Sequence, residues 1–440
     1  MKNRWIGLIA LLVAEAMNLL DATIVQVAAP VIHTDLGGRT ADIQWFSAAY
    51  TLPFAALLIT GGRLGDRFGR RRCFRIGVAV FVLTSTACAL ASTAWLLIGL
   101  RAIQGAAAAL VIPQTIGLIK TGFTGAALPK ALGTIGPVMG LAGISGPLLG
   151  GVITEASSWR AVFLVNVPLG LAVLALSHLL PESTSPRPPR LDALGTVLLT
   201  AGTAFLVYPV LQSRDWFLLP VGVVILGVCV LQQRREARLI ELSLFAHRGF
   251  APALLTSTLF FAVMSGTTLV VVLHQQLTLH HTVMHSSLVL LPWSAASGVA
   301  SLAAGQWLVA RFRSRLMYVG LGVLLVGLAA APYVLLPALA VGGVGAGLFT
   351  TAFFAEALHR VEPHETGSAA GLLNAVQQFG GTLGVAAFGT VFLRHPATVD
   401  RPLWLAVAVV VLTVGTAHLM RSPRSPRRGR AERVPASTGR

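Results

Sequence analysis

The sequence predicts an all-α protein built almost wholly of membrane-crossing helices, and three observations carry that prediction. Of its 440 residues, 55% are hydrophobic and only 11% are charged, too apolar a balance to give a soluble protein of this length a polar surface. Apolar stretches of roughly 17–25 residues, the length that crosses a bilayer core, recur from one end of the chain to the other. Lys and Arg also alternate between successive connections. With the N-terminus placed in the cytoplasm, the cytoplasmic segments hold 27 of them and the external segments 5, with Arg101 left inside a helix. That asymmetry puts both termini in the cytoplasm. It also makes the net charge of +17 a topology signal and not a nucleic-acid footprint.

Fourteen apolar segments follow in order, at 5–29, 44–62, 75–92, 95–118, 131–153, 160–180, 193–211, 215–232, 250–273, 286–309, 316–332, 334–355, 368–393 and 402–420. The first is too long for a signal-peptide core and carries Glu15 and Asp21, so it reads as a retained helix. Connections are short, which leaves no room for a soluble catalytic domain. The longest, 181–192 and 233–249, bracket the seventh and eighth segments. The expected division is therefore a six-helix bundle over 1–180, an inserted helix pair with flanking cytoplasmic linkers over 181–245, and a second six-helix bundle over 246–420. A basic cytoplasmic tail over 421–440 completes the chain. An internal repeat supports this division. Leu64-Gly65-Asp66-Arg67-Phe68-Gly69-Arg70-Arg71 after helix 2 is matched by Leu308-Val309-Ala310-Arg311-Phe312-Arg313-Ser314-Arg315 after helix 10. Gly146-Pro147-Leu148-Leu149-Gly150-Gly151 is echoed loosely by Gly380-Gly381-Thr382-Leu383-Gly384. Repeats of this kind underlie alternating access in many transporters.

A carboxylate at membrane depth costs at least a few kcal/mol, so Asp21, with Glu15 six positions before it, marks an ion, proton or ligand site. Arg101, within helix 4, stays charged and must find a carboxylate or backbone carbonyls; Asp21 and Glu15 are the carboxylates that topology brings near it. Desolvation and Arg101 pull the Asp21 carboxylate in opposite directions, which suits a group that loads and releases a proton. In Gly62–Arg72, glycines allow a tight connection, and Asp66 can bond neighbouring arginines or cap a helix. In the second copy Ala310 replaces Asp66, so any charge latch is one-sided. The helix 5 glycines, among them Gly136, Gly140, Gly146, Gly150 and Gly151 with Pro147, allow close packing and, through the proline, bending; packing and gating both remain open. His281 and His285 stand at i and i+4 in an external connection without a convincing third ligand, so a solvated loop is expected and no metal site. The cysteines Cys73, Cys88 and Cys229 suggest neither a disulfide nor a metal. No GxxxxGK[ST] string and no set of nucleophile, base and orienting group is present, which speaks against ATP-driven transport by this chain and against an enzyme.

Together these strings resemble the major facilitator superfamily, and within it the fourteen-helix drug:proton antiporter branch. Gly62–Arg72 is similar to its signature between helices 2 and 3, with Gly62, Asp66, Arg67, Gly69 and Arg70 as the conformational switch. Leu20–Val25 resembles the helix 1 motif, Arg101–Gly105 the helix 4 motif, and Gly136–Gly151 the antiporter motif. Gln44-Trp45, Trp159-Arg160, Phe163–Gly170 and Gly367–Asn374 also look like this branch. The chain departs from it at Gln26–Pro30, at Gln377, and in having few carboxylates in its helix cores. The resemblance implies a major facilitator fold with two six-helix bundles plus an inserted pair. It also implies a proton-coupled antiporter of the cell membrane that exports hydrophobic or amphiphilic compounds, as in multidrug or antibiotic efflux. A metabolite uptake symporter or facilitator of the same fold is the alternative. Asp21, Glu15 and Arg101 are the expected proton-coupling residues, and Asn18, Gln104 and Asn374 possible pocket residues. Protons are the only coupling species expected, with no other cofactor. The expected partners are a small-molecule substrate and the lipid bilayer, with no nucleic acid, and the chain is expected to be a monomer.

Overall fold

The computed structural model describes residues 2–184, 191–235, 242–246, 249–359, 361, 365–396 and 398–420. The basic tail and parts of the linkers around 181–192 and 233–249 lie outside them. The described residues are helical throughout, with no strand. Fourteen apolar helices succeed one another: α1 Arg4–Leu36, α2 Asp42–Phe68, α3 Arg70–Ala89, α4 Ala94–Gly122, α5 Ala127–Ala156, α6 Trp159–Leu179, α7 Ala193–Gln212, α8 Leu218–Gln233, α9 Phe250–Thr278, α10 Val283–Phe312, α11 Arg315–Ala330, α12 Leu335–His359, α13 Ser368–Arg394 and α14 Asp400–Leu419. Twelve of these have both the length and the hydropathy to cross a membrane; α8 and α11 are shorter apolar helices. Several helices run past the apolar stretches that predict them, because backbone hydrogen bonding continues where hydrophobicity stops. Asp42 opens α2 and Phe68 closes it, for example. The apolar stretch 131–153 belongs to a longer α5 that is interrupted at Thr134.

The packing repeats itself. In the first set of six helices, α1 packs on α5 and α6, α4 on α2 and α3, and α3 on α6. In the last six, α9 packs on α13 and α14, α12 on α10 and α11, and α11 on α14, which is the same scheme eight helices later. The two sets meet along two related seams, α5 against α10 and α2 against α13. Helices α7 and α8 pair with each other, and α7 lies against both α2 and α13, covering that seam. Thr60 and Thr196 share a hydrogen bond of 2.8 Å between α2 and α7, and the Thr390 hydroxyl donates to the Val210 carbonyl at 2.9 Å between α13 and α7.

Lipid tails are as apolar as the helices, so helix association inside a membrane depends on close contact and favours small residues. The two glycine runs matched in the sequence serve matching contacts. Gly146 and Gly150 receive Thr23 and Ile24 of α1, while Gly380 and Gly384 lie against the Thr258 and Ala262 backbone of α9.

The repeated connection is equally informative. Gly69, between α2 and α3, has φ of 104°, a conformation that costs glycine nothing. The matched position between α10 and α11 is Arg313, which has φ of 49° and ψ of −134°. The chain turns in a glycine-like way in both halves, but only one half has the glycine. Arg313→Gly should therefore raise the melting temperature of the purified protein, consistent with relief of about 1 kcal/mol of backbone strain. An unchanged or lower melting temperature would count against strain at this turn.

Candidate functional site

Five helices of the first bundle converge on one carboxylate. Asp21 projects from α1, and its side chain is fully buried, as is that of Arg101 from α4. The Nη1 of Arg101 donates to Oδ2 of Asp21 in a short contact. Gln104, one turn along α4, accepts from the same Nη1 at 2.6 Å and donates its Nε2 to Oδ1 of Asp21 at 3.2 Å. Asn166 of α6 donates to that Oδ1 at 2.8 Å. Ser85 of α3 ties the two amides together, accepting from Gln104 at 2.6 Å and from Asn166 at 3.3 Å. The Nε of Arg101 donates to the Phe46 carbonyl of α2 at 3.1 Å, and the guanidinium lies 4.3 Å from the centre of the Tyr50 ring. Gly105 makes this stacking possible, because a Cβ there would collide with the Tyr50 backbone.

Each donor has a physical reason to be there. A buried ion pair repays its desolvation only when further hydrogen bonds satisfy the remaining lone pairs. Arg101, Gln104 and Asn166 all donate to Asp21, which together suits the charged carboxylate. The sequence singled out Asp21, Arg101 and Gln104. It did not single out Ser85, Tyr50 or Asn166, although Asn166 interrupts the apolar run Val165–Val167 and so left a visible signal. Gln104, expected as a possible pocket residue, is fully buried and committed to this network.

Glu15 takes a different direction. It lies eleven positions before Gln26, three helical turns with only about 20° of offset, so the two share a face of α1. Gln26 donates across to the Ser265 carbonyl of α9 at 2.9 Å, so this face is turned toward the second bundle. Glu15 itself is 8% exposed and faces Thr115 of α4. Asn18, between the two carboxylates, is 7% exposed, and its amide nitrogen has no hydrogen-bond partner. Asn374, on α13, is half-buried.

The basic connection after α2 is tied within its own bundle. Asp66 pairs with Arg70 one turn on, and a Cβ at Gly117 of α4 would strike the Arg70 side chain. Arg67 lies over its neighbour Phe68. Arg71 reaches Glu182, beyond α6, at 3.5 Å and donates to the Leu180 carbonyl at 3.1 Å. Glu182 is a partner that the sequence did not suggest. Gly62 has only ordinary contact with Pro113. Of the α5 glycines, Gly146 and Gly150 seat α1, and Gly151 lies against Met284 and Ser287 of α10 in the other bundle. Pro147 is buried inside α5. A Cβ at Gly136 or Gly140 would meet nothing within 4 Å.

Hydrogen bonds join the bundles at the end opposite this basic connection. Besides the Gln26 contact, Glu155 accepts from the Met284 amide at 3.1 Å, and Gln276 donates to the Val27 carbonyl at 3.0 Å. Thr51 and Thr382 bond at 2.7 Å near mid-depth. At the same far end, Trp159 and Arg160 donate to Asp35 at 2.9 and 2.7 Å. His281 bonds Gln275 at 2.8 Å and its ring lies 4.1 Å from that of His285. Among the described residues no group of three or more His, Cys, Asp or Glu side chains is placed to hold a metal ion.

Removing one member of the Asp21–Arg101 pair leaves the other buried and uncompensated, at a cost of about 3–5 kcal/mol. Arg101→Ala should therefore be less stable to heat than Arg101→Ala combined with Asp21→Asn. A double variant no more stable than the single one would show that the two charges are uncoupled.

Comparison with known proteins agrees with this architecture. The family model described as Major Facilitator Superfamily matches residues 11–385. A probable actinorhodin transporter of Streptomyces coelicolor is 38% identical, over 89% of this chain and 72% of that protein. The puromycin resistance protein pur8 of Streptomyces alboniger is 35% identical, over 88% and 82%. The drug efflux pump JefA of Mycobacterium tuberculosis is 33% identical, over 85% and 78%. With two similarly packed six-helix sets and a match over most of its length, the chain belongs to the major facilitator superfamily.

Proposed function

We propose that this protein exports hydrophobic or amphiphilic compounds of the drug or antibiotic kind across the cell membrane, in exchange for protons. The observation that carries the reading is the Asp21 carboxylate, fully buried and held by Arg101, Gln104 and Asn166. Protonating Asp21 cancels the charge that Arg101 balances, so it weakens contacts that join five helices. A single proton can in that way change how α1, α4 and α6 sit together. Alternating access then consists of the bundle over 1–180 rocking against that over 246–420. The names of the relatives support export of antibiotics and drugs, and no nucleotide-binding string is present to supply energy in place of protons.

The finer assignment is to the fourteen-helix drug:proton antiporter branch, with α7 and α8 as the inserted pair. It is supported by their packing, since they pair with each other and cover one seam outside both bundles. The distribution of Lys and Arg supports cytoplasmic termini, with the basic connection on the cytoplasmic side. The contacts gathered at the other end then correspond to a protein closed toward the outside. Asp66 and Arg70 belong to the switch that the rocking works against, and Gly146, Gly150 and Gly151 form the surfaces on which α5 moves.

Two outcomes test this reading. In proteoliposomes, a pH gradient should drive uphill movement of a lipophilic antibiotic, and a protonophore should abolish it. Asp21→Asn keeps the shape and most of the hydrogen bonding, so it should lose gradient-driven transport while retaining downhill exchange; full uphill transport by this variant would remove Asp21 from the mechanism. Asp66→Asn should slow turnover and leave antibiotic binding within a few-fold, since Asp66 pairs only within the basic connection in this state. Equal losses of binding and transport would contradict that role.

A further inference from the structure

We infer that the Tyr50 hydroxyl relays the proton between Glu15 and Asp21, so that the two carboxylates act in series. The inference rests on the proton-coupled reading above. Asp21 has no exposed side-chain surface, and Arg101, Gln104 and Asn166 already bond its oxygens. A proton from solvent therefore reaches Asp21 through another group. Glu15 is the carboxylate on the face of α1 turned toward the other bundle, and it retains some exposure.

Tyr50 lies beside the Asp21–Arg101 pair. It is 1% exposed and lies within electrostatic reach of Asp21, Arg101 and Glu15 alike. Its ring packs under the Arg101 guanidinium, and its backbone is fixed by the close approach of Gly105. Its hydroxyl nonetheless has no hydrogen-bond partner. A buried hydroxyl left unpaired costs about 1–3 kcal/mol, so packing alone gives no reason for one here. Phenylalanine would fill the same space and stack on the same guanidinium. The amide nitrogen of Asn18 is unpaired as well. Asn18 lies three residues from Glu15 and three from Asp21, so it is a helical neighbour of each. Unpaired polar groups thus lie near these carboxylates on α1, α2 and α4, the last being the Thr115 hydroxyl beside Glu15. Asn18 can orient a shared proton carrier, and the Tyr50 hydroxyl, which alone of these belongs to a side chain stacked on the Arg101 guanidinium, can both accept and release a proton.

The transfer balances. The Glu15 carboxylic acid gives its proton to the Tyr50 oxygen, and the Tyr50 O–H proton passes to an Asp21 oxygen. Glu15 is left as carboxylate and Asp21 as carboxylic acid, with Tyr50 unchanged. The reverse path returns the proton. Once neutral, Asp21 no longer balances Arg101, and the five-helix network loosens.

Tyr50→Phe removes the relay and keeps the stacking, so it separates this role from a structural one. The experiment is a pH jump on the full-length purified protein, followed by infrared spectroscopy at the carboxylic-acid C=O band that Asp21→Asn removes. In the wild-type protein that band should grow with falling pH. In Tyr50→Phe it should reach the same amplitude roughly tenfold or more slowly, as expected for loss of a positioned proton-transfer group. Glu15→Gln should slow it as well. The melting temperature of Tyr50→Phe should be no lower than that of the wild type, because the substitution removes an unpaired buried hydroxyl. A Tyr50→Phe band that grows at the wild-type rate overturns the relay while leaving Asp21 as the proton carrier. A wild-type spectrum with no pH-dependent band that Asp21→Asn removes would instead defeat the proton-coupled reading, and the relay with it.

Discussion

The interaction on which the rest of this structure depends is the buried pair of Asp21 and Arg101. Two opposite charges out of water remain tolerable only while each is surrounded by good partners. Here Gln104 and Asn166 donate to the carboxylate, with Ser85 tying the two amides together, and the Phe46 carbonyl and the Tyr50 ring hold the guanidinium, whose Nη2 has no hydrogen-bond partner. Because these groups come from α1, α2, α3, α4 and α6, satisfying one carboxylate also sets how five helices stand together. On the proposed reading the same dependence makes the bundle responsive. A change in one proton removes the reason for several of the contacts at once, which a purely apolar core could not do.

The second bundle is built on the same packing scheme without the same chemistry. Gly380 and Gly384 bring α13 onto α9 as Gly146 and Gly150 bring α5 onto α1. Its turn between α10 and α11 also has a positive φ, at Arg313 in place of glycine, and Ala310 stands where Asp66 would be. The two halves thus share architecture and divide labour. The first holds the buried Asp21–Arg101 network and the Asp66–Arg70 pair, and on the proposed reading the second is a similarly shaped partner to rock against. The seams fit this division. Gly151 accepts the first turn of α10, and Glu155 receives the Met284 amide, while Gly136 and Gly140 toward the other end meet nothing. Along the other seam α7 hydrogen-bonds to both bundles.

Much of this was legible in the sequence, for identifiable reasons. Helices in a membrane must satisfy every backbone group internally, so apolar length translates almost directly into elements. Asp21 and Arg101 stood out because charges are rare in such helices, and topology made them candidates for each other. The repeat around Asp66 was visible because glycine and arginine are informative letters in an apolar chain. Uncharged polar residues were harder to read. Ser85 looks like ordinary packing until a carboxylate is placed beside it, and Tyr50 looks like any aromatic core residue. Gln104 was legible as polar but not as to its partner. The different directions of Glu15 and Asp21 depend on which face of α1 meets α9, and contacts such as that of Gln26 with Ser265 fix that.

The central claim is that the protonation of Asp21 decides which end of the protein is open. It is tested most directly by measuring the separation of the two bundles at the basic end as pH is changed. Spin labels at Thr121, at the end of α4, and Arg311, at the end of α10, report that separation in the full-length protein. The account predicts that the wild-type distance distribution shifts between a long and a short population as pH is lowered, and that Asp21→Asn gives one distribution at every pH. An Asp21→Asn protein whose distances respond to pH as the wild type's do would contradict it.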